Sequence, residues 1–561
     1  MLFVIVLLNC LFANDIIKYP ELLPIKNQEI LEHIKQKDQP QFLDDNYWDD
    51  DRILFSTYFG GSGYDCINDG AFDSQGNFIQ VGYTGSPDLP IVGDAFQKVK
   101  NLNHDMFIVK WNPAGDVIWS TFLGGSGSDV LYSVAIDKND DIIVAGRTES
   151  PDIIVSEDAS QKDYKGESDF YIAKFTKDGG YVWSTYLGGS MQEYGTKIVL
   201  DDAENIYIGG TTGSTGKSGK PNVILPTREN AIMRDINKVF QDGEVVSIYL
   251  SKFTPEGKYI WGTYFGNNGD ASEVLTGLDV YKDEIGFSWD LWGYRKTING
   301  THLFTKVTED AEQKQGVIKS GSFTADGWQT QVFKIDTAGT TLKYGTFYTG
   351  DNSWSKKVKY DKDGNLILHV ATLREIPKKD SVFKSSGHLV FVKYNQKNEL
   401  EWDFGFGCFD LDKGSICLDF DIDENNVLWT AGRTSCKNIV KGINPFPTDR
   451  DTSGGTTGLI FIIDLNNFKY WFSYYDLGGR DNNDISVRNN VLNTSGATET
   501  LRTKIDNKLG TFYNQTTIGF FISIDLNDII KDMNPTDSVN PKDTLNFKSD
   551  IIFYPNPVND I

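Results

Sequence analysis

The stretch WSTFLGGSGSD, Trp119–Asp129, decides the fold, because the chain repeats it. It reads FSTYFGGSG from Phe55 and WSTYLGGS from Trp183. It continues as WGTYFGN from Trp261 and YGTFYTG from Tyr344, then decays to WDFGFG from Trp402 and FSYYDLGG from Phe472. Successive anchors lie 64, 64, 78, 83, 58 and 70 residues apart. Recurrence of one motif along a chain marks a repeat architecture.

Each unit carries the same inner order. After the glycine-rich turn comes a short apolar strand such as SVAID, ending at Asp137, then a turn such as DSQGN (Asp73–Asn77), KNDD (Lys138–Asp141) or DKDGN (Asp361–Asn365). A second strand follows, as in IIVAGRT (Ile142–Thr148) or VLWTAGRT (Val427–Thr434). A longer polar connection leads to a third, such as MFIVKW (Met106–Trp111) or FYIAKF (Phe170–Phe175). A turn such as NPAGD (Asn112–Asp116) then leads to the next anchor, the fourth strand. Glycine and asparagine at these turns supply the positive φ that hairpins need. Both faces of FYIAKF are largely apolar, so the strand belongs between packed sheets.

Stacked four-stranded antiparallel units predict an all-β fold, a seven-bladed β-propeller with one blade per anchor over residues 52–530. A linear solenoid is the other repeat architecture, but its units usually run about 20–50 residues. Two closures are open. Either the first anchor, ILFSTYF (Ile53–Phe59), supplies the outer strand of the last blade, or each anchor begins a complete blade of its own.

Composition agrees. The 561 residues include 54 Gly, and 13% are aromatic. No long stretch has sustained helical periodicity. The formal net charge of −24 repels phosphate backbones, which argues against nucleic acid as a partner. Residues 1–13, MLFVIVLLNCLFA, match the apolar core of a signal peptide, without a basic residue before them, and are too short to span a bilayer. A lipoprotein signal would use Cys10, preceded by an ill-suited Asn9. No other segment is apolar enough to cross a membrane. Residues 14–51 read as a linker or capping arm, and residues 531–548 as a polar linker. Cys408, Cys417 and Cys436 fall in one repeat, either as a disulfide with one thiol over or as free thiols. There is no C-x-x-C and the five His are scattered, so neither a zinc site nor any other cofactor is expected.

The run Ser120–Asp129, Asp137–Thr148 and Asp169–Phe175, with Ala95-Phe96-Gln97 in the first copy, resembles the bacterial SBBP beta-propeller repeat family. The resemblance is strong over residues 54–262 and weak afterwards. It implies an extracellular propeller and brings no catalytic residues. Near the end of the chain, Phe553–Asp560 resembles the opening of a type A C-terminal sorting domain of the type IX secretion system, carried by Tyr554, Pro555, Asn556 and Pro557. That resemblance implies that residues 549–561 begin a truncated sorting domain. It further implies export by the secretion machinery to the outer face of a Gram-negative cell, or release.

Candidate sites are few. No nucleophile motif, P-loop or H-E-x-x-H is present. The turns DSQGN, DKDGN and DENN (Asp423–Asn426) look superficially like calcium loops but lack the ligand spacing, so their acids are expected to satisfy their own backbone. An acid follows most anchors (Asp65, Asp129, Glu193, Asp270 and Asp481), and a hydrated, turn-capping role is expected of them. The fourth unit departs most from the pattern. Trp289, Trp292, Tyr294 and Trp328, beside Arg295 and Lys296, form its candidate ligand-binding aromatic surface; the other reading packs these rings between blades. Two functions follow. One is a secreted or cell-surface scaffold that binds an extracellular protein or polysaccharide. The other is a secreted polysaccharide hydrolase or lyase with its carboxylates in the central channel.

Overall fold

The computed structural model describes residues 53–215, 223–234, 247–266, 272–292, 308–311, 329–348, 353–372, 389–406, 415–434, 457–466, 470–475, 481–489, 491–498 and 518–525. The chain begins with β1 (Ile53–Phe59). Blade one is β2 (Asp65–Phe72), β3 (Phe78–Thr84), β4 (Asp105–Trp111) and β5 (Val117–Leu123). Blade two is β6 (Asp129–Ile136), β7 (Ile142–Thr148), β8 (Asp169–Phe175) and β9 (Tyr181–Leu187). Blade three is β10 (Glu193–Leu200), β11 (Ile206–Thr212), β12 (Ser247–Phe253) and β13 (Tyr259–Phe265). Blade four is β14 (Ser272–Tyr281), β15 (Glu284–Trp292), β16 (Gln329–Asp336) and β17 (Leu342–Phe347). Blade five is β18 (Ser353–Tyr360), β19 (Leu366–Thr372), β20 (Leu389–Tyr394) and β21 (Leu400–Phe406). Blade six is β22 (Ser415–Ile422), β23 (Val427–Thr434), β24 (Thr457–Asp464) and β25 (Tyr470–Tyr475). Last come β26 (Asp481–Arg488), β27 (Val491–Thr498) and β28 (Ile518–Asp525).

The expectation of seven equal blades is corrected here. Six blades, not seven, are built from four consecutive strands. The remaining sheet is a composite, in the order β1-β28-β27-β26. The physical reason lies in where the anchor sits. It forms the outer edge strand that ends a blade, so a unit counted from anchor to anchor straddles two sheets. Anchors two to seven close the six blades. The first, β1, crosses to β28 with Thr57 opposite Phe521. Of the two closures left open by the sequence, the one that joins the chain ends is present.

The first strand of each blade faces the axis. β2, β6, β10, β14, β18, β22 and β26 pack side by side in that order, and β26 returns to β2. Side chains stitch neighbouring blades together, mostly between their inner strands. The Asp69 carboxylate accepts from Val134 N (2.8 Å), Ser133 Oγ from Ile198 N (3.3 Å) and Thr211 Oγ1 from Leu275 N (3.3 Å). Asp279 accepts from Tyr360 N (2.7 Å) and Asp419 from Ile485 N (3.1 Å). Ser486 Oγ donates to Gly70 O (2.8 Å) and completes the circle. Between blades lie dry apolar layers, such as Ile79, Val81, Ile108, Leu131, Val144 and Tyr171 between blades one and two. Each large side chain so buried contributes about 1.5–3 kcal/mol.

Residues 1–13, the arm up to residue 52, the linker at 531–548 and the segment 549–561 with Tyr554, Pro555, Asn556 and Pro557 lie outside the described residues, as do Cys408 and Cys436. Cys66 is buried, and its thiol donates to Asn68 Oδ1 (3.4 Å). No helix among the described residues is long and apolar enough to cross a membrane.

Candidate functional site

Every second strand ends, and every third strand begins, at the same end of its sheet. The long connections, such as 85–104 and 149–168, therefore leave and return on one face, called here the upper face. The anchor turns reach it too. Among the described residues, the lower face holds short turns.

The repeated polar residues of the upper face are consumed by the architecture. In the turn after the first anchor, Gly61 N donates to the Asp65 carboxylate (2.8 Å), which also accepts from Thr84 Oγ1 (2.5 Å) and Ser86 Oγ (2.8 Å). Asp129 repeats this with Gly125 N (2.8 Å), Thr148 Oγ1 and Ser150 Oγ (2.8 Å), and Glu193 with Gly189 N (3.2 Å) and Thr212 Oγ1 (2.7 Å). The expectation of hydrated acids is corrected for these three, each of which is fully buried. Asp270 lies outside the described residues, and the surroundings of the Asp481 side chain are not described.

A second acid lies under the turns that close the first two blades, Asp105 at Gly124 and Asp169 at Gly188. The Asp105 carboxyl lies flat beneath Gly124, where an added Cβ would sit 2.7 Å from its Cγ. Burial pushes its pKa up to about 6, with the negative Asp129 adding to the rise. Burial likewise raises Asp169 to about 7 and Glu193 to about 8.

The Ala95-Phe96-Gln97 motif has an architectural role that its sequence did not announce. Its connection runs down the open edge of β5, where Ser120 N donates to Val92 O (3.0 Å) and Phe122 N to Gln97 O (3.1 Å). Phe96 stacks on Tyr181 of the next blade, with ring centroids 5.3 Å apart. Gln97 Nε2 donates to Asp105 (3.0 Å). Edge strands left bare invite aggregation, and this connection covers one.

On the lower face the calcium-like turns behave as expected. The Asp73 carboxylate accepts from Gln75 N (2.9 Å) and Asn77 N (2.8 Å), and Lys110 Nζ sits 2.8 Å from it. Asp137–Lys174 (2.6 Å) and Asp361–Lys393 (3.1 Å) repeat the pair. At each of these three turns a lysine ammonium of the same blade pairs with the turn carboxylate. No cluster of His, Cys, Asp and Glu that could hold a metal occurs among the described residues.

Of the four candidate aromatic residues of the fourth unit, Trp289 is the one whose surroundings are described. Trp289 is buried in the layer between blades three and four, stacked on Phe333 with centroids 4.3 Å apart. Its place in β15 explains why. The equivalent positions in the first two blades are Gly82 and Gly146, beside Phe107 and Tyr171 of the third strand. In blade four the ring is on the second strand, and Gln331 stands opposite. The aromatic has moved from the third strand to the second, with a glutamine in its former place, and the Trp is core. Trp292 ends β15, but its side-chain surroundings are not described, and Tyr294 and Trp328 lie outside the described residues. Asp290, between the two tryptophans, is buried and ties blade four to blade five through Ser355 N (2.9 Å). Burial raises its pKa to about 7.

A different cluster emerges where the copies differ. At three positions of the upper face the first three copies carry Tyr64, Ser128 and Gln192; Tyr83, Arg147 and Thr211; Gly85, Glu149 and Gly213. The large side chains among these gather at the axial end of blades one and two. Tyr64 stacks on Tyr83 (5.7 Å, planes 25° apart), and His104 meets Tyr83 edge-on (5.7 Å). Arg147 Nη1 lies 3.1 Å from Glu149 Oε1. Burial opposes the charge on Arg147, but Tyr132, Glu149, Asp129 and Tyr83 outweigh it and hold the pKa above its ordinary value. Burial, then Lys100 and Arg147, keep His104 below the usual imidazole range. The signal for these residues was in the sequence, in the mismatches between copies rather than in the matches.

Residues 182–216 match the SBBP beta-propeller repeat family. The match covers part of one repeat, from an anchor through the second strand that follows it. The chain is a β-propeller repeat protein. An uncharacterized WD repeat-containing protein of Acanthamoeba polyphaga mimivirus is 22% identical over 319 residues, 48% of this chain and 22% of the relative. The propeller chain therefore spans about a fifth of that relative's length. Among solved structures, a putative 6-phosphogluconolactonase from Bacteroides uniformis superposes with a TM-score of 0.35 at 9% identity, over 77% of this chain and 89% of that one.

Proposed function

We propose that the propeller is a secreted or cell-surface scaffold that binds an extracellular polysaccharide or protein through its upper face. One observation carries this reading. The second strands end and the third strands begin at that face, beside turns whose first acids, Asp65 and Asp129, are held by backbone and hydroxyl donors. Loops on a rigid frame are where recognition concentrates. Exposed apolar side chains also stand there, with Val99 at 76% and Leu102 at 94% exposure. Export rests on two sequence features, the apolar residues 1–13 and the Phe553–Asp560 motif.

A bulky maleimide polymer on Leu102→Cys is expected to block binding to glycan arrays and to purified surface proteins of the host cell. The same label on Ala114→Cys, in an exposed lower turn, is expected to leave binding intact. Equal loss from both labels, or loss from the lower one alone, contradicts the assignment. Surface labelling of cells should lose the full chain when residues 1–13 are removed, or when the segment Tyr554–Pro557 is replaced by alanine.

A further inference from the structure

Six side chains at the axial end of blades one and two are not explained by the repeat: Tyr64, Tyr83, His104, Tyr132, Arg147 and Glu149. We propose that they form a subsite for an uncharged sugar residue of a polysaccharide, an inference that rests on the upper face being the recognition surface.

The fold does not require these residues. The third copy is built to the same pattern with Gln192, Thr196, Thr211 and Gly213 at the corresponding places, and its turn is held by the same donors. What the first two copies add is chemistry. The stacked, half-buried Tyr64 and Tyr83 rings, with the exposed His104 against the edge of Tyr83, offer an aromatic wall. Such a wall fits the C–H face of a pyranose. Arg147 and Glu149, 3.1 Å apart, place a fork of donors beside an acceptor. Vicinal hydroxyls, which both donate and accept, match that pairing.

The charges select a neutral ligand. The one guanidinium of the cluster is already neutralised by Glu149. Lys100 and Arg147 stand close enough to His104 to oppose a further positive charge there. The whole chain carries −24, which repels an acidic polymer.

The test uses the full chain on immobilised neutral glycans (β-glucan, xylan and mannan oligosaccharides) and acidic ones (polygalacturonate and alginate). The variants Tyr83→Thr and Arg147→Thr install what the third copy already carries at that place, so folding is preserved, and thermal melting checks this. Thr211→Ala is the control. At least one neutral glycan should bind with weak salt dependence. Its affinity should fall tenfold or more in each variant and stay within twofold in the control. Binding of acidic glycans alone, binding of no neutral glycan, or neutral-glycan binding that survives both variants overturns the subsite. In the last case the label at Leu102→Cys separates the two readings. If it still blocks binding, only the subsite fails; if it does not, the upper face fails as well.

Discussion

Asp105 shows how one side chain is tuned by its place in the repeat. Its Oδ2 accepts from Asn101 N (2.9 Å) and Gln97 Nε2 (3.0 Å), while its Oδ1 is buried with no partner among the described residues. Its pKa of about 6 lies above the unfolded value of about 3.9. The stability linked to its proton is thus present below pH 4 and lost as pH rises through 6. Asp105→Asn keeps the Oδ2 acceptor and removes the charge. The variant should be more stable than wild type by roughly 1–3 kcal/mol above pH 7. Below pH 4 the two should converge. Thermal melts from pH 4 to 8.5 would show this, and parallel curves would contradict it. Trp289 makes the opposite point. Trp289→Ala should cost about 3–5 kcal/mol, as removal of a buried indole does, and leave glycan affinity unchanged in protein that remains folded. Loss of affinity without loss of stability would restore it as a contact residue. Neither role was legible in the local sequence. FSWDLW reads equally as surface or core, and only its register against β16 shows that it replaces a glycine.

At the scale of the element, turns and strands were far more legible than sheets. The DSQGN and DKDGN turns lie where glycine and asparagine predict them, with Gly76 and Gly364 both at φ 80°. Four strands per unit followed from alternation and turn spacing. The sheet to which each anchor belongs did not follow, because an outer strand of one blade and an inner strand of the next share one continuous apolar pattern across a glycine turn. The lower turns carry their own prediction. Lys174 is 12% exposed and rests on Asp137 and Asp141. Asp137→Ala should destabilise by about 1–3 kcal/mol, because it leaves the Lys174 ammonium to Asp141 alone and opens the turn. Chelation by EDTA should leave the melting temperature unchanged, since a lysine ammonium pairs with the turn carboxylate. A fall of several degrees in EDTA would require a cation that the turns do not need.

At the scale of the molecule, the upper face is a surface only while the ring is closed. The described residues offer one join between the ends of the fold: β1, just after the N-terminal arm, paired with β28, just before the C-terminal linker. Arg488 reinforces the neighbouring junction by donating to Ser74 O (2.8 Å) and Asp73 O on blade one. The β-propeller repeat protein thus depends on a contact between residues more than four hundred positions apart. Ring closure was open on sequence grounds, since seven anchors serve seven complete units or six plus a shared one. A paired-cysteine test decides it. Ser56 stands directly opposite Ile522, and opposed strand residues lie within disulfide reach. The double variant Ser56→Cys, Ile522→Cys should oxidise within one chain, without reagent to spare for dimers. It should run as a compact monomer on non-reducing gels and melt several degrees higher than its reduced form. Failure to cross-link within one chain in the folded protein, with both thiols still reactive, would contradict the closed ring and the recognition face built on it.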